Sequence, residues 1–446
     1  MLDESGFKEV SKRIFDIAKS NETEVMLVSK DESLARFSNN SISQHISSME
    51  TDIIIRVLIG QRQGKASTTQ YDQESLVRAV KKAEMAASAQ KEDPSILPLA
   101  PPHVYGPIDN YVEKTARISP DEKVSAIKEV IRKTDDKGLK SAGIFSNEDN
   151  IVGIANSNGL YAYNRSTSAT FSITAMTDDS SGWAEDTKKD VYQIDHLRLG
   201  QIAAEKADSS RGPKDIDPGE YTVILEHAAV SDLLLFMAYE GFGALNYIEG
   251  RSFLSGKLGK KVFGETITII DDSFHPMTIG MSFDFEGMPK RPVPLIVNGM
   301  AKNIAHDRKT ACKAGTLSTG HALPQPNPYG PMPLNIVLKG GDSSIEEMIR
   351  STNRGILVTR FHYTNIIDPV KLTITGMTRD ATFLVVDGKI AHPVKNMRFT
   401  DSVVRIFNEA EAISKDQVFA KAFFGGGFVV PAMKIRGFNF SSTTRF

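Results

Sequence analysis

The chain is poor in the residues that would announce a chemistry. Among its 446 residues there is one cysteine, Cys312, so no internal disulfide can form, and the usage fits a reducing compartment. A lone small side chain of this kind is expected to be buried or half-buried rather than reactive. No apolar run reaches the roughly 18 residues a membrane-crossing helix requires. The opening MLDESGFKEV has neither a basic segment nor an apolar core, which leaves a cytoplasmic expectation and no membrane partner. Lys plus Arg (53) nearly balance Asp plus Glu (55), and a formal net charge of -2 provides no electrostatic footprint for nucleic acid. GxSxG elbows, P-loops and CxxC pairs are also missing.

What is present is the composition of a folded globular protein, 40% hydrophobic and 24% charged. Its length exceeds what one core ordinarily serves, so two domains are expected. Asn40 precedes Gly64-Lys65-Ala66-x-x-Thr69 by 24 positions, and Asn158 precedes Gly182-Trp183-Ala184-x-x-Thr187 by the same 24, an offset of 118. Under that offset Ile53, Ile55 and Val57 fall on Phe171, Ile173 and Ala175, and Ala86 and Ala89 fall on Ala204 and Ala207. Each copy reads as helix, strand meander, helix. Val10, Ile14 and Ile17 mark one face of a helix over 7–19, and Leu76, Val80, Ala83 and Ala87 stripe another over 75–89. Residues 52–60 are apolar on both faces, as in an interior strand. Ser119-Pro120-Asp121-Glu122 opens the second copy with proline at the first helical position and acids in the first turn. Between the copies the proline-rich 94–102 is a stiff connector. The run from Arg211-Gly212-Pro213 to Pro218-Gly219 closes this half, whose plainest use is as a platform.

From Tyr221 the pattern changes to short strands, expected at 266–271, 295–298, 334–338, 356–361 and 382–386. Asp387-Gly388 is a hairpin turn between two of them. Helices are expected at 230–242 and 344–354. The fold class is therefore α+β: a duplicated α/β N-terminal domain over 1–215, then a β-rich barrel- or sandwich-like C-terminal domain over 216–446.

The stretch from Ser231 to Gly259 bears most on function. Its second half, Gly250-Arg251-Ser252-Phe253-Leu254-x-Gly256-Lys257-Leu258-Gly259, resembles the loop after the zinc-binding helix of the TldD/PmbA family, the zinc-dependent peptidases also described as modulators of DNA gyrase. Further matches follow in order: Thr268-Ile269-Ile270-Asp271-Asp272, Phe285-Glu286-Gly287-Met288-Pro289, Leu317-Ser318-Thr319-Gly320-His321-Ala322, Asn353-Arg354-Gly355 and Asp387-Gly388-Lys389-Ile390. In zinc-bearing members the helix carries H-E-x-x-x-H, whose positions fall here on Leu235, Phe236 and Glu240. Leucine and phenylalanine can neither coordinate zinc nor accept a proton, and one glutamate is too few ligands. The family's further ligand, a cysteine, aligns near Gln417. The resemblance thus implies the TldE/PmbA-like branch, a metal-free and non-catalytic subunit that handles unfolded peptides beside a zinc-bearing TldD-like partner.

Alternatives stand beside this reading. His227 with Asp232 and Glu226 is the nearest substitute metal set, which would make the chain a peptidase with a non-standard site. A homodimeric module that binds peptides or small ligands is the other. Arg251, Ser252 and Lys257 are candidates for holding a peptide next to the vestigial Leu235, Phe236 and Glu240. The proline-rich run 321–333 is expected to cross the surface as an extended segment near the same cleft. The run Phe423-Phe424-Gly425-Gly426-Gly427-Phe428 is expected to be core or interface.

Overall fold

A computed structural model describes residues 1–20, 22–422 and 426–444 of the chain. In chain order the N-terminal elements are α1 (Glu4–Ile17), β1 (Glu22–Ser38), β2 (Ser41–Ile59), β3 (Arg62–Thr68), α2 (Gln73–Ala89), α3 (Glu113–Ala116), α4 (Pro120–Asp135), β4 (Lys140–Asn156), β5 (Tyr161–Met176), β6 (Ser181–Lys188) and α5 (His196–Ser209). The helix starts follow local chemistry. Asp3 caps α1 by accepting from the Gly6 amide, and Ser119 and Glu122 form a reciprocal capping box at α4 with Pro120 just inside. The hairpin between β1 and β2 turns on Asn39 and Asn40, both at positive φ (49° and 58°), the conformation a two-residue hairpin loop favours.

These six strands form one sheet in the order β3-β2-β1-β4-β5-β6, with β1 and β4 antiparallel at its centre. One face carries two apolar clusters: Phe7, Ile53 and Leu76 under α1 and α2, and Phe37, Phe171 and Ala203 under α4 and α5. On the opposite face Met26, Ile154, Leu160 and Ala162 pack with Phe283 of the C-terminal half. Matching strand pairs keep the offset of the sequence. Val57 faces Gly64 as Ala175 faces Gly182. Each glycine lets a helix lie directly on its strand, since a Cβ on Gly64 would sit 2.1 Å from the Ala83 carbonyl and one on Gly182 2.2 Å from that of Ala203. The helix contacts correct the expected register: Ala83 and Ala87 correspond to Ala203 and Ala207, two residues further along than an offset of 118 allows. The longer connector from β6 to α5, which includes a 3-10 turn at Val191–Gln193, takes up the difference.

The C-terminal elements are β7 (Gly219–Leu225), α6 (His227–Phe236), a π turn (Met237–Gly241), α7 (Ala244–Ile248), β8 (Ile269–Asp271), β9 (Val293–Val297), β10 (Met300–Ala301), α8 (Arg308–Ala314), β11 (Ile336–Leu338), α9 (Ile345–Arg350), β12 (Arg354–Asp368), β13 (Thr373–Val386), β14 (Lys389–Val394), β15 (Met397–Ser402), α10 (Val403–Asn408), β16 (Ala410–Lys421) and β17 (Gly427–Thr443). β7 pairs with β12 on one side and with β17 on the other, and β17, β15, β13 and β12 pair in sequence. The ring therefore closes, and of the two expected architectures the barrel is the one formed. Around α6 gathers the largest core, with Val230, Leu233 and Leu234 beside Phe361, Phe399, Met433 and Phe438. Asp387 (φ 47°) and Gly388 (φ 76°) make the expected turn between β13 and β14.

Several expectations are corrected. β12 and β13 run well beyond 356–361 and 382–386, because the two strands pair with each other along nearly their whole length. The helix expected over 230–242 starts at His227 and changes at Met237 from α to π. Cys312 is exposed, since α8 buries the neighbouring Thr310 and Ala311 instead. Phe423, Phe424 and Gly425 lie outside the described residues, whereas Phe428 is buried in the barrel core.

Candidate functional site

The helix α6 is apolar on nearly every side, and its burial follows from that: Ala229, Val230, Leu233, Leu234 and Phe236 are all enclosed. At its end the Phe242 amide donates to the Met237 carbonyl at 3.0 Å, five residues back, which defines the π turn. The site is built around this turn. Residues five apart on an α-helix lie about 140° apart around the axis, so an α-helix would separate positions 235 and 240. The wider turn reduces that separation, and such turns occur often at functional sites.

Beside the turn lies a cavity of about 400 Å³. Tyr239, Glu240, Asn246 and Arg251 form one wall, and Leu323 with the segment from Pro328 to Met332 forms the other. The proline-rich run thus borders the cleft where expected. Backbone contacts fix it there: a Cβ on Gly243 would lie 2.5 Å from the Pro331 carbonyl, and Gly330, at φ 78°, approaches Leu245 as closely. Burial pushes the Glu240 carboxyl above its ordinary pKa, and Arg251 pulls it partly back. Asn246 Nδ2 donates to that carboxylate at 3.3 Å. Arg251 is itself paired with Glu249, its Nε 2.9 Å from Glu249 Oε2.

Of the motif positions, only Glu240 lines the cavity; Phe236 is buried and Leu235 packs against the barrel core. Neither side chain has a donor atom for zinc, so the residues present do not fit that ion. Gln417 pairs with Pro431 in the β16–β17 ladder, and its side-chain amide donates to the Leu338 carbonyl at 2.7 Å. Ser252 is not free for a ligand: it is 2% exposed, donates to the Gly241 carbonyl at 2.6 Å and accepts from the Leu254 amide. Its role is to tie the loop to the π turn. Lys257 is exposed and lies outside the cavity lining.

His227 and Asp232 are not brought together. His227 Nε2 lies 3.3 Å from the Asp416 carbonyl, while Asp232 receives a bond from Thr364. Burial lowers the His227 pKa and raises that of Asp232 to about 7. Glu226 is occupied by Lys206 at 2.5 Å. Among the described residues no three His, Cys, Asp or Glu side chains form a metal-ligand group.

Sequence reasoning missed Tyr239 and Asn246 as lining residues, for which no spacing signal exists. The acidic motifs prove to be structural knots. Asp284 accepts from the amides of Glu286, Met288 and Ala322. Burial alone would raise the Asp271 pKa, but His321, 3.0 Å away, together with Lys290 and the Asn335 amide outweighs it and brings the carboxyl to about 2.

Comparison with known proteins places these features in a family. Residues 218–442 match the PmbA/TldA metallopeptidase C-terminal domain, 113–211 its central domain and 23–87 its domain 1. An uncharacterized protein of Methanocaldococcus jannaschii is 25% identical over 87% of this chain and 90% of its own length. A Buchnera aphidicola metalloprotease TldD homolog is 28% identical over 52% of this chain and 48% of its own. Two solved structures share the fold at 22% identity, covering 97% of this chain and 99% of theirs: TldE from Thermococcus kodakarensis, TM-score 0.87, and a Thermotoga maritima protein whose name links it to modulation of a DNA gyrase, TM-score 0.88. No helix among the described residues is long and apolar enough to cross a membrane.

Proposed function

This chain belongs to the PmbA/TldD metallopeptidase family, and on that premise we propose that it is the cytoplasmic, non-catalytic, TldE-type subunit of a two-component peptidase acting on unfolded peptides. The observation that carries the proposal is the π turn. The backbone distortion of Met237–Gly241 and the loop tied to it by Ser252 persist, while Leu235 and Phe236 occupy positions at which catalysis needs donors. What remains is a cavity with one largely polar wall, one largely apolar wall and a half-buried carboxyl, a composition that suits a binding pocket. Hydrolysis then belongs to a zinc-bearing TldD-like partner. The domain division follows the sheets: the first ends at Lys188 and the second begins at Gly219, which supports a cut near 215.

The test is elemental analysis and peptide hydrolysis on the chain alone and after co-expression with a zinc-bearing relative. The expected result is no stoichiometric zinc and no hydrolysis alone, with both appearing in the co-purified pair. Stoichiometric zinc with hydrolysis by the chain alone overturns the proposal. His227→Ala is expected to leave the activity of the pair unchanged, and its loss would favour the substitute metal set.

A further inference from the structure

The alternation of β2 divides its side chains between the two faces of the first sheet. Ile53, Ile55 and Val57 enter the core under α1 and α2, so Arg56 is turned to the opposite face, the one that packs against the C-terminal half. Glu24 stands directly across the β1 ladder, and the two side chains form a two-point pair. Arg56 Nε lies 2.9 Å from Glu24 Oε1, and Nη2 lies 3.0 Å from Oε2. Arg56 is only 8% exposed, yet its Nη1 takes part in neither bond and has no other partner among the described residues.

Arg56 lines a cavity of about 310 Å³ between the two halves of the chain. The connector contributes Ile96 and Leu97 to it, and the C-terminal half contributes Glu286, Arg308, Lys309 and the run from Gln325 to Pro328. Pro328 also lines the cavity beside the π turn, but every residue of that other lining belongs to the C-terminal half. The half-buried Arg308 donates through Nη1 to the Pro98 carbonyl at 2.8 Å, which leaves its Nε and Nη2 open. Neither Arg308 nor the exposed Lys309 forms an ion pair among the described residues. Glu286 is the single acid in this lining and adds little negative charge. Its Oε2 accepts from the Arg308 amide at 3.0 Å, while burial and then the neighbouring Asp284 push its pKa up to about 8, so at neutral pH it keeps a proton.

We propose that this cavity binds an organic carboxylate. Arg308 and the Nη1 edge of Arg56 hold its two oxygens, Lys309 adds positive charge at the rim, and Ile96, Leu97 and Pro328 receive its carbon body. Planar guanidinium forks match the two oxygens of a carboxylate, and a protonated Glu286 can donate to either. The apolar part of the wall selects an acid with a carbon body over inorganic phosphate, which has none. Since the lining comes from both halves, an occupant also ties them together.

A free small acid and the chain end of a peptide share this chemistry, and calorimetric titration of the full chain separates them. At least one of two carboxylates is expected to bind, glutarate marking a free acid and trialanine a peptide end, whereas trialanine amide is expected not to bind. Arg308→Gln removes the charge of a fork and is expected to weaken binding about tenfold, with an unchanged circular dichroism spectrum. Lys309→Gln is expected to weaken it about threefold. Failure of both carboxylates to bind, equal binding of the amide, tighter binding of inorganic phosphate, or undiminished affinity in either variant would each overturn the proposal.

Discussion

β2 and β5 occupy equivalent places in the first sheet, yet their outer stretches meet different surroundings. Beyond β6, residues 161–168 of β5 include no exposed residue, whereas beyond β3 eight consecutive residues of β2 are exposed. The segment that joins the two units makes the difference. The Thr167 amide donates to the Asn110 carbonyl at 2.8 Å and the Val112 amide to Thr167 Oγ1 at 2.9 Å. Tyr161 and Tyr163 reach back to the carbonyls of Glu4 and Leu2. Only one connector exists for two edges, and it covers one of them. Near-symmetry of strands therefore does not give symmetry of surface, because the asymmetric linker is part of the structure.

The strongest test of this comparison is where the units are alike. Gly64→Ala and Gly182→Ala both drive a Cβ into a helix carbonyl, so each should destabilise the protein by about 3 kcal/mol in chemical denaturation. A neutral result at either site would break the equivalence. Where the edges differ, Asn110→Ala removes a donor bonded to the Gly280 carbonyl at 2.7 Å and should cost about 1–3 kcal/mol.

A subtler asymmetry is Lys123 on α4, which has no buried lysine as its counterpart on α1. It is 0% exposed and donates to Ser33 and Asn147, and burial lowers its pKa from 10.5 to about 8. The folded state thus disfavours the ammonium below pH 8, and that penalty fades as pH rises from about 8 toward 10.5. Stability measured against pH should rise more over this window in the wild type than in Lys123→Met; parallel curves would remove the asymmetry. The smallest effect is expected at the open edge, where Gln44→Ala should change the stability of the isolated chain by less than about 0.5 kcal/mol.

The sequence was most informative where structure is local. The capping box at Ser119 and the turn at Asp387-Gly388 are set by residues within a few positions of each other, and both form as expected. Boundaries were less legible where pairing replaces burial: the outer part of β12, from His362 to Asp368, alternates between exposed and half-buried residues and carries little apolar pattern. The helix register of the second unit was misplaced because the spacing from Gly182 to its helix differs by two residues from that at Gly64, and conformation alone reveals this. At the candidate site, Glu240 and Arg251 were visible as charged residues near a motif, and both line the cavity. Ser252 was misread, since its burial depends on the Gly241 carbonyl across the π turn. That turn itself has no local marker.

Barrel closure also sets an order of assembly. β7 comes directly before α6, but its second neighbour is β17, from the opposite end of the C-terminal half. A growing chain can complete the first sheet while most of the barrel is still to be synthesised. Helix α6 is therefore made early and housed late, so its apolar surface needs shielding in the interval.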